Sequence, residues 1–271
     1  MKVDVCIWTR NGEKTLPVVL QRIEQVIPNI GRKIAVDDGS TDNTLDILRR
    51  FGWKVYPNTK GFINGGTSEA LVHVKSTWFV SVEQDVLLGP NWWRVMSQHL
   101  SDKSLAVAQG IERSTCRAEY AYERLSLGQW CSIGNNVYRT RIIRRLGFVD
   151  DTIMMKPFHD RILANNYRWI VDDRVESTHL HGGFLSAVKH TVQFYKLTKQ
   201  RTYVDKLTRI RYLASIAFSP IKGFSLAVKV REPQVLILHI VRSLALWKVK
   251  ISRGYRNFDK NSCLLSARTP N

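Results

Sequence analysis

The sequence has little cysteine, and its cysteines follow no pattern. Cys6, Cys116, Cys131 and Cys263 include no C-x-x-C pair and no regular spacing. Neither a structural zinc site nor a disulfide framework is therefore indicated, and a reducing, cytoplasmic compartment is the simplest interpretation. The first residues also lack the basic segment and apolar core of a secretory signal peptide, so we expect the amino terminus to be retained.

Acidic residues are scarce at the carboxyl end. The chain has 41 Lys and Arg residues against 23 Asp and Glu, which gives a formal net charge of +18. Residues 1–180 hold 24 of the basic and 20 of the acidic residues, whereas residues 181–271 hold 17 basic and 3 acidic ones. Such a basic segment attracts either nucleic acid or anionic lipid head groups, and charge alone does not decide between them.

The basic end also lacks an uncharged run of the roughly 18 residues that a plain membrane span requires. Its two longest uncharged runs, 212–221 and 233–241, are shorter, yet residues 235–241 are too apolar for an exposed helix. We expect interfacial helices that bind an anionic membrane surface through residues 207–256, with breaks at Pro220 and Pro233. A short re-entrant or spanning hairpin and a helical cap packed on protein are the alternatives. Basic residues complete the interfacial pattern at Lys248, Lys250, Arg253 and Arg256.

The first hundred residues alternate short β-branched runs with helical patterns, which predicts an α/β fold with a mainly parallel, Rossmann-like sheet flanked by helices. Strands are expected near 3–8, 33–36, 54–56, 78–82, 105–109 and 135–138. Helices are expected near 16–27, 43–50, 65–74, 92–100 and 140–146. Residues 110–134 show no clean period and are interpreted as a loop or lid. From residue 183 onward the pattern is helical.

Two adjacent carboxylates, Asp37 and Asp38, follow the second predicted strand and precede a helix. Ligands of open α/β sheets bind at the carboxyl ends of strands, so one of these carboxylates is expected to accept hydrogen bonds from a nucleotide base or ribose. The alternative is a helix-capping turn, because Asp, Ser and Thr are good caps and Gly39 permits the turn.

A second acidic segment, Glu83, Gln84 and Asp85, follows the fourth predicted strand. Mg²⁺ and Mn²⁺ prefer carboxylate oxygens and bridge diphosphates, so Asp85 is the predicted metal ligand. Glu83 is expected to assist through a water or the ribose. An ordinary polar turn is the alternative for this segment.

Together these two segments resemble the family 2 glycosyltransferases, which have the GT-A fold. The similarity continues at Thr9-Arg10-Asn11, at the glycine-rich residues 60–66, and at residues 134–139 with 146–150. It covers roughly residues 3–182. The resemblance implies a nucleotide-sugar site formed by Thr9, Arg10, Asn11, Asp37, Asp38, Lys60, Glu83 and Gln84.

The resemblance also implies roles further along the chain. Asp160 takes the position of the family's catalytic base, and His159 stands where the family usually has Glu. A late histidine completes the metal site in many such enzymes, and His181 is preferred over His179. The family usually shows Asp-x-Asp where this chain has Glu83-Gln84-Asp85. The alternative for Asp160 is a structural role, because an Asp in the first turn of a helix interacts favourably with the helix dipole. The alternative for the histidines is likewise a structural role.

Arg113 and Arg117 are candidates for gripping an acceptor phosphate, because a guanidinium group binds oxyanions in a bidentate manner. The alternative is that they are solvated loop charges.

The expected activity is an inverting transfer that depends on Mn²⁺ or Mg²⁺. The donor is a GDP- or UDP-sugar, for which GDP-mannose is one guess, and the acceptor is membrane-bound and lipid-linked, at the cytoplasmic face of the membrane. Residues 1–182 are expected to form the catalytic domain, with a nucleotide half at 1–110 and an acceptor half at 111–182. Residues 183–271 form the basic helical extension. No nucleic acid is expected as a partner. The alternative is a noncatalytic basic module that binds nucleic acid or membrane, which leaves the carboxylates without a role.

Overall fold

The computed structural model describes residues 1–60, 62–120, 132–148, 156–180, 182–189, 191–192 and 206–248. Its strands are β1 Val3–Thr9, β2 Ile30–Asp37, β3 Lys54–Pro57, β4 Trp78–Glu83, β5 Val86–Leu87, β6 Leu105–Ser114, β7 Asn136–Arg139 and β8 Arg168–His179. Its helices are α1 Leu16–Val26, α2 Thr44–Arg50, α3 Phe62–His73, α4 Trp92–Met96, α5 Thr140–Leu146, α6 Lys156–Ala164, α7 Lys206–Val230 and α8 Gln234–Lys248. Residues 184–189 are also helical.

The strands form one mixed sheet in the order β3-β2-β1-β4-β7-β6-β8-β5. β1, β2, β3 and β4 pair in parallel, as do β6 and β8. β7 is antiparallel to both β4 and β6, and β5 is antiparallel to β8. The predicted α/β fold is confirmed, and its parallel half carries the two acidic segments at the carboxyl ends of β2 and β4.

Helices cover both faces of the sheet. One apolar cluster packs α1 and α4 against the strands, and a second packs α3, α5 and α6 against the other face. Every residue of β1 is buried, including Asp4. The Asp4 carboxylate accepts hydrogen bonds from the backbone N–H groups of Arg32, Lys75 and Ser76. Both of its buried oxygens therefore have hydrogen-bond donors.

The segment interpreted as a loop contains more regular structure than expected. β6 continues to Ser114 because its second half pairs with β8, with Ile111 opposite Glu176 and Ser114 opposite His179. This partner strand is distant in sequence, so the local pattern around residue 110 carries no sign of it. Residues 121–131 of the predicted lid lie outside the described residues.

The expected helix break at Pro220 was wrong. Pro220 lies inside α7, where its ring removes one backbone donor. Packing between α7 and α8 holds the helix through this position: the Ser219 hydroxyl lies 3.0 Å from Nδ1 of His239, and a Cβ on Gly223 would lie 2.4 Å from the Cβ of His239. The break at Pro233 is confirmed, because it separates α7 from α8.

The C-terminal helices also contact the rest of the protein. A third apolar cluster joins Val235 of α8 to Cys116, Ala118 and Ala187. Within the part of the chain that the structure describes, no helix combines the length and apolarity needed to cross a bilayer.

Candidate active site

The loops that follow β1 and β2 are joined by hydrogen bonds at the carboxyl edge of the sheet. The Thr9 hydroxyl donates to Oδ1 of Asp37 at 2.9 Å. The backbone N–H of Asn11 donates to the Ser40 hydroxyl at 2.9 Å, and that of Thr41 donates to Oδ1 of Asn11 at 2.8 Å. Asn11 adopts a left-handed backbone with φ of 51°. The segments predicted to bind the nucleotide therefore form one continuous rim.

Asp37 and Asp38 have different surroundings. Asp37 is only 7% exposed, and its Oδ2 accepts hydrogen bonds from two backbone N–H groups of the turn that follows. The Asp38 side chain is 30% exposed, and it contacts Nη1 of Arg10 and Nδ2 of Asn58, each at 3.1 Å. Asp37 therefore shapes the turn, and Asp38 is the carboxylate that a ligand can reach.

Gln84 links the acidic loop after β4 to the loop after β1. Its Oε1 accepts from the backbone N–H of Arg10 at 2.9 Å, and its Nε2 donates to the Arg10 carbonyl at 3.1 Å. The glycine at position 12 makes room for this side chain, because a Cβ on Gly12 would lie 2.5 Å from Oε1 of Gln84. Gln84 thus fixes the loops in place.

Lys60, which was predicted to contact the nucleotide sugar, lies beyond β3 and is exposed.

Glu83, Asp85 and His179 converge at the same edge. One ligand atom from each lies within 4.8 Å of the other two. Nε2 of His179 is 3.4 Å from Oδ1 of Asp85. The short strand β5 explains this approach: it places Val86 opposite His179, and the backbone N–H of Leu180 donates to the Asp85 carbonyl at 2.7 Å.

A third carboxylate, that of Glu112 on β6, approaches the cluster, with Oε2 3.6 Å from Nδ1 of His179. Burial and the neighbouring Glu112 raise the pKa of Glu83 to about 8, although His179 opposes this shift. Burial lowers the pKa of His179, but Asp85 and Glu112 outweigh it and raise that pKa to about 10. Three carboxylates around one histidine leave an excess of negative charge. Two carboxylates and an imidazole are donors that suit Mn²⁺, so these residues fit a divalent cation.

Gly134 and Asn135, the two residues before β7, support the cluster. The backbone N–H of Gly134 forms a hydrogen bond with Glu83. Asn135 is fully buried with φ of 58°; its Oδ1 accepts from the Ser177 hydroxyl at 2.9 Å and its Nδ2 donates to the Ile111 carbonyl at 3.1 Å. The ends of β6, β7 and β8 are therefore tied together beside Glu83.

His159 and Asp160 lie on α6, with Nδ1 of His159 3.6 Å from Oδ1 of Asp160. Because α6 begins at Lys156, Asp160 is in the second turn of the helix, not the first. The Asp160 side chain is 54% exposed. The His159 ring packs edge-on against Trp169, near the start of β8, whereas His179 ends that strand. The described contacts therefore place this pair beside the first half of β8. His181 lies outside the described residues.

The two arginines considered for acceptor binding are on or near the end of β6. Arg113 pairs with Glu176 at 3.1 Å and lies over the ring of Tyr120, with 4.4 Å from Cζ to the ring centroid. Arg117 is exposed. Arg113 is therefore engaged on the protein surface.

Comparisons with known proteins agree with this architecture. The sequence profile described as Glycosyl transferase family 2 matches residues 4–161. A search of curated proteins gave no match. The mannosyltransferase PcManGT from Pyrobaculum calidifontis in complex with GDP-Man and Mn²⁺ is 17% identical with a TM-score of 0.59, over 89% of this chain and 86% of that chain.

Two further solved structures are similar. S. aureus TarS 1-349 is 17% identical with a TM-score of 0.55, over 91% of this chain and 83% of that chain. Glucosyl-3-phosphoglycerate synthase from Mycobacterium tuberculosis, in complex with Mn²⁺, UDP and glucosyl-3-phosphoglycerate, is 15% identical with a TM-score of 0.51, over 73% of this chain and 80% of that chain. At these identities the likeness concerns the fold.

Proposed function

The chain belongs to glycosyl transferase family 2 and is a glycosyltransferase, and we propose that it moves a sugar from a GDP- or UDP-sugar onto a lipid-linked acceptor at a membrane surface. The reaction inverts the anomeric carbon and depends on Mn²⁺ or Mg²⁺. The observation that carries this proposal is the convergence of Glu83, Asp85 and His179 at the carboxyl edge of the sheet. Family membership speaks against the noncatalytic basic module.

The rim around Asp38 supports a nucleotide site next to that cluster. Asp38 is partly exposed at the end of β2 and pairs with Arg10. Gln84 in turn joins Arg10 to the acidic loop after β4. A base or ribose bound by Asp38 would leave the diphosphate directed toward Asp85. Two of the similar structures hold Mn²⁺ together with a nucleotide or nucleotide sugar, which supports the same combination here.

Glu83, Asp85 and His179 are the residues that would hold the cation, and His181 stays a predicted further ligand. A bound divalent cation supplies Lewis-acid stabilisation of the departing diphosphate. Asp160 is the proposed base, because the acceptor hydroxyl must lose its proton to a carboxylate as it attacks the anomeric carbon. The resemblance in sequence supports this role. Nδ1 of His159 lies 3.6 Å from Oδ1 of Asp160.

Calorimetric binding of GDP and UDP, each with and without Mn²⁺, tests the donor site. We expect metal-dependent binding of one nucleotide by the wild type and its loss in Asp85→Ala. Asp46→Ala is a matched control, since Asp46 is an exposed aspartate of α2 that pairs only with Arg49 among the described contacts. Binding of neither nucleotide by the wild type would contradict the proposed function, and equal binding by Asp85→Ala would remove Asp85 from the metal site.

The membrane part of the proposal is supported by the exposed faces of α7 and α8. Large apolar side chains recur on one face of α7, where spacings of three and four residues align them. They are Phe218, Ile221, Phe224 and Val228, each 63–66% exposed. The exposed Lys222 and Lys229 lie beside them. Helix α8 adds Ile237, Ile240 and Leu244. An apolar stripe with flanking lysines suits an anionic bilayer surface, which we propose to be the cytoplasmic face.

Flotation with vesicles tests this surface. The wild type is expected to float with vesicles that contain anionic lipid, and the double variant Phe218→Ser, Phe224→Ser is expected to bind at least about 100-fold more weakly, because each buried Phe contributes about 1.5–3 kcal/mol. Val72→Ser is the control, since Val72 is 64% exposed on α3, outside the helical hairpin. Equal flotation of the double variant would place the membrane contact elsewhere.

A further inference from the structure

We propose that Glu112 is a positioning residue of the metal centre that orients His179 toward the cation. The inference rests on the proposed function, because it needs a divalent cation at Glu83, Asp85 and His179. Glu112 belongs to the part of β6 that lies beyond the strand expected from the sequence.

The register of β6 and β8 explains how Glu112 reaches the histidine. Ser114 lies opposite His179, and Glu112 lies opposite Ser177. Residues two apart on a strand share a face, so Glu112 is a diagonal neighbour of His179. Arg113, which lies between Glu112 and Ser114, points to the other face of the sheet and pairs with Glu176. The pairing of the strands therefore brings Glu112 beside the imidazole ring.

The two ring nitrogens of His179 face different carboxylates. Nε2 lies 3.4 Å from Oδ1 of Asp85, and Nδ1 lies 3.6 Å from Oε2 of Glu112. A cation binds a neutral imidazole, which has one N–H and one lone pair. When the cation takes the lone pair of Nε2, the nitrogen that faces Asp85, the remaining hydrogen is on Nδ1 and faces the carboxylate of Glu112. Histidine ligands commonly depend on such a carboxylate partner, and losing it weakens metal binding about 10- to 100-fold.

The arrangement also separates Glu112 from the cation ligands. The residues whose ligand atoms all lie within 4.8 Å of one another are Glu83, Asp85 and His179, and Glu112 is not part of this group. Glu112 meets the histidine on the opposite nitrogen. The side chain of Glu112 is 15% exposed and that of His179 is 12% exposed, so water competes little for this contact.

Titration of the full-length Glu112→Gln protein with Mn²⁺ in the presence of the nucleoside diphosphate that the wild type binds tests the role. We expect Mn²⁺ affinity to fall at least about 10-fold, Glu112→Asp to recover part of it, and the unfolding temperature without metal to stay unchanged. The control Glu176→Gln changes a glutamate on the paired strand that faces Arg113, and its Mn²⁺ affinity should match the wild type.

A purely structural role predicts a different result: a lower unfolding temperature of Glu112→Gln without metal and an unchanged Mn²⁺ affinity. That result would overturn the inference. ¹⁵N shifts of the His179 ring in the Mg²⁺-loaded protein add a direct measurement, because the wild type should show the hydrogen on Nδ1. A hydrogen on Nε2 would also overturn it. If the wild type binds no divalent cation with either nucleotide, the proposed function itself fails.

Discussion

Replacing Gly134 by alanine tests how closely the segment before β7 packs against the metal centre. A Cβ at this position would lie 2.7 Å from Cγ and 3.0 Å from Oε1 of Glu83. Nonbonded carbon atoms are most favourably placed about 3.5–4.0 Å apart, so the added methyl group overlaps the Glu83 side chain by about 0.8 Å or more. Glu83 must move, or the segment before β7 must shift.

Such overpacking costs about 1–3 kcal/mol. If the Glu83 side chain rotates away, the cost falls on the cation-bound state and Mn²⁺ affinity drops about 5- to 150-fold, since 1.4 kcal/mol is tenfold. If Glu83 cannot rotate, the same cost lowers the free energy of unfolding. The loss in Mn²⁺ binding free energy and the loss in the free energy of unfolding should therefore add up to about 1–3 kcal/mol.

Calorimetric Mn²⁺ titration with nucleotide and denaturant unfolding without metal are the matching assays. Gly183→Ala is the control, because apart from its chain neighbours no atom of the described residues lies within 4 Å of a Cβ built there. If Gly134→Ala changes neither the Mn²⁺ affinity nor the free energy of unfolding, the contact between Gly134 and Glu83 does not shape the centre and the reasoning is refuted.

Two further predictions concern α6 and the C-terminal hairpin. Asp160→Asn should leave donor binding intact and lower the transfer rate at least about 100-fold; a normal rate would show that another group is the base. Burial and the charges of Arg242 and Lys222 lower the pKa of His239 from 6.5 to about 4. Stability from the neutral His239 is therefore complete above pH 6.5 and is lost as pH falls toward 4, by about 1.4 kcal/mol at pH 5.5. Denaturant unfolding at pH 8 and 5.5 should show a change in the free energy of unfolding that is less favourable on acidification by about 1.4 kcal/mol in the wild type than in His239→Asn, and equal changes in both would contradict it.

The parallel half of the fold could be predicted because its signals are local. Each strand from β1 to β4 is a short β-branched run next to a helical pattern, and the predicted starts at residues 3, 54 and 78 agree with the structure. The positions of Asp38 and Asp85 follow directly, since carboxylates after parallel strands meet at one edge. The sequence could not show that Asp37 and Asp38 have different roles. The difference depends on which carboxylate accepts the hydrogen bonds of the following turn, and in the structure this is Asp37.

The second half depends on pairings between distant residues. β5 has two residues and no local signature, yet its pairing with β8 brings His179 to Asp85. Glu112 was missed because the end of β6 is extended only through β8. Pro220 was misread because helix propensity describes a single helix, whereas the contacts of Ser219 and Gly223 with His239 keep α7 continuous.

The position of β8 in the sheet has a consequence for how the enzyme is made. β8 is the last of the described strands along the chain, yet it lies between β6 and β5. A ribosome-bound chain that ends before residue 168 holds Glu83 and Asp85 but no His179, so it has only part of the cation site. If these residues hold the cation as proposed, the complete site forms only after β8 has been inserted between β6 and β5.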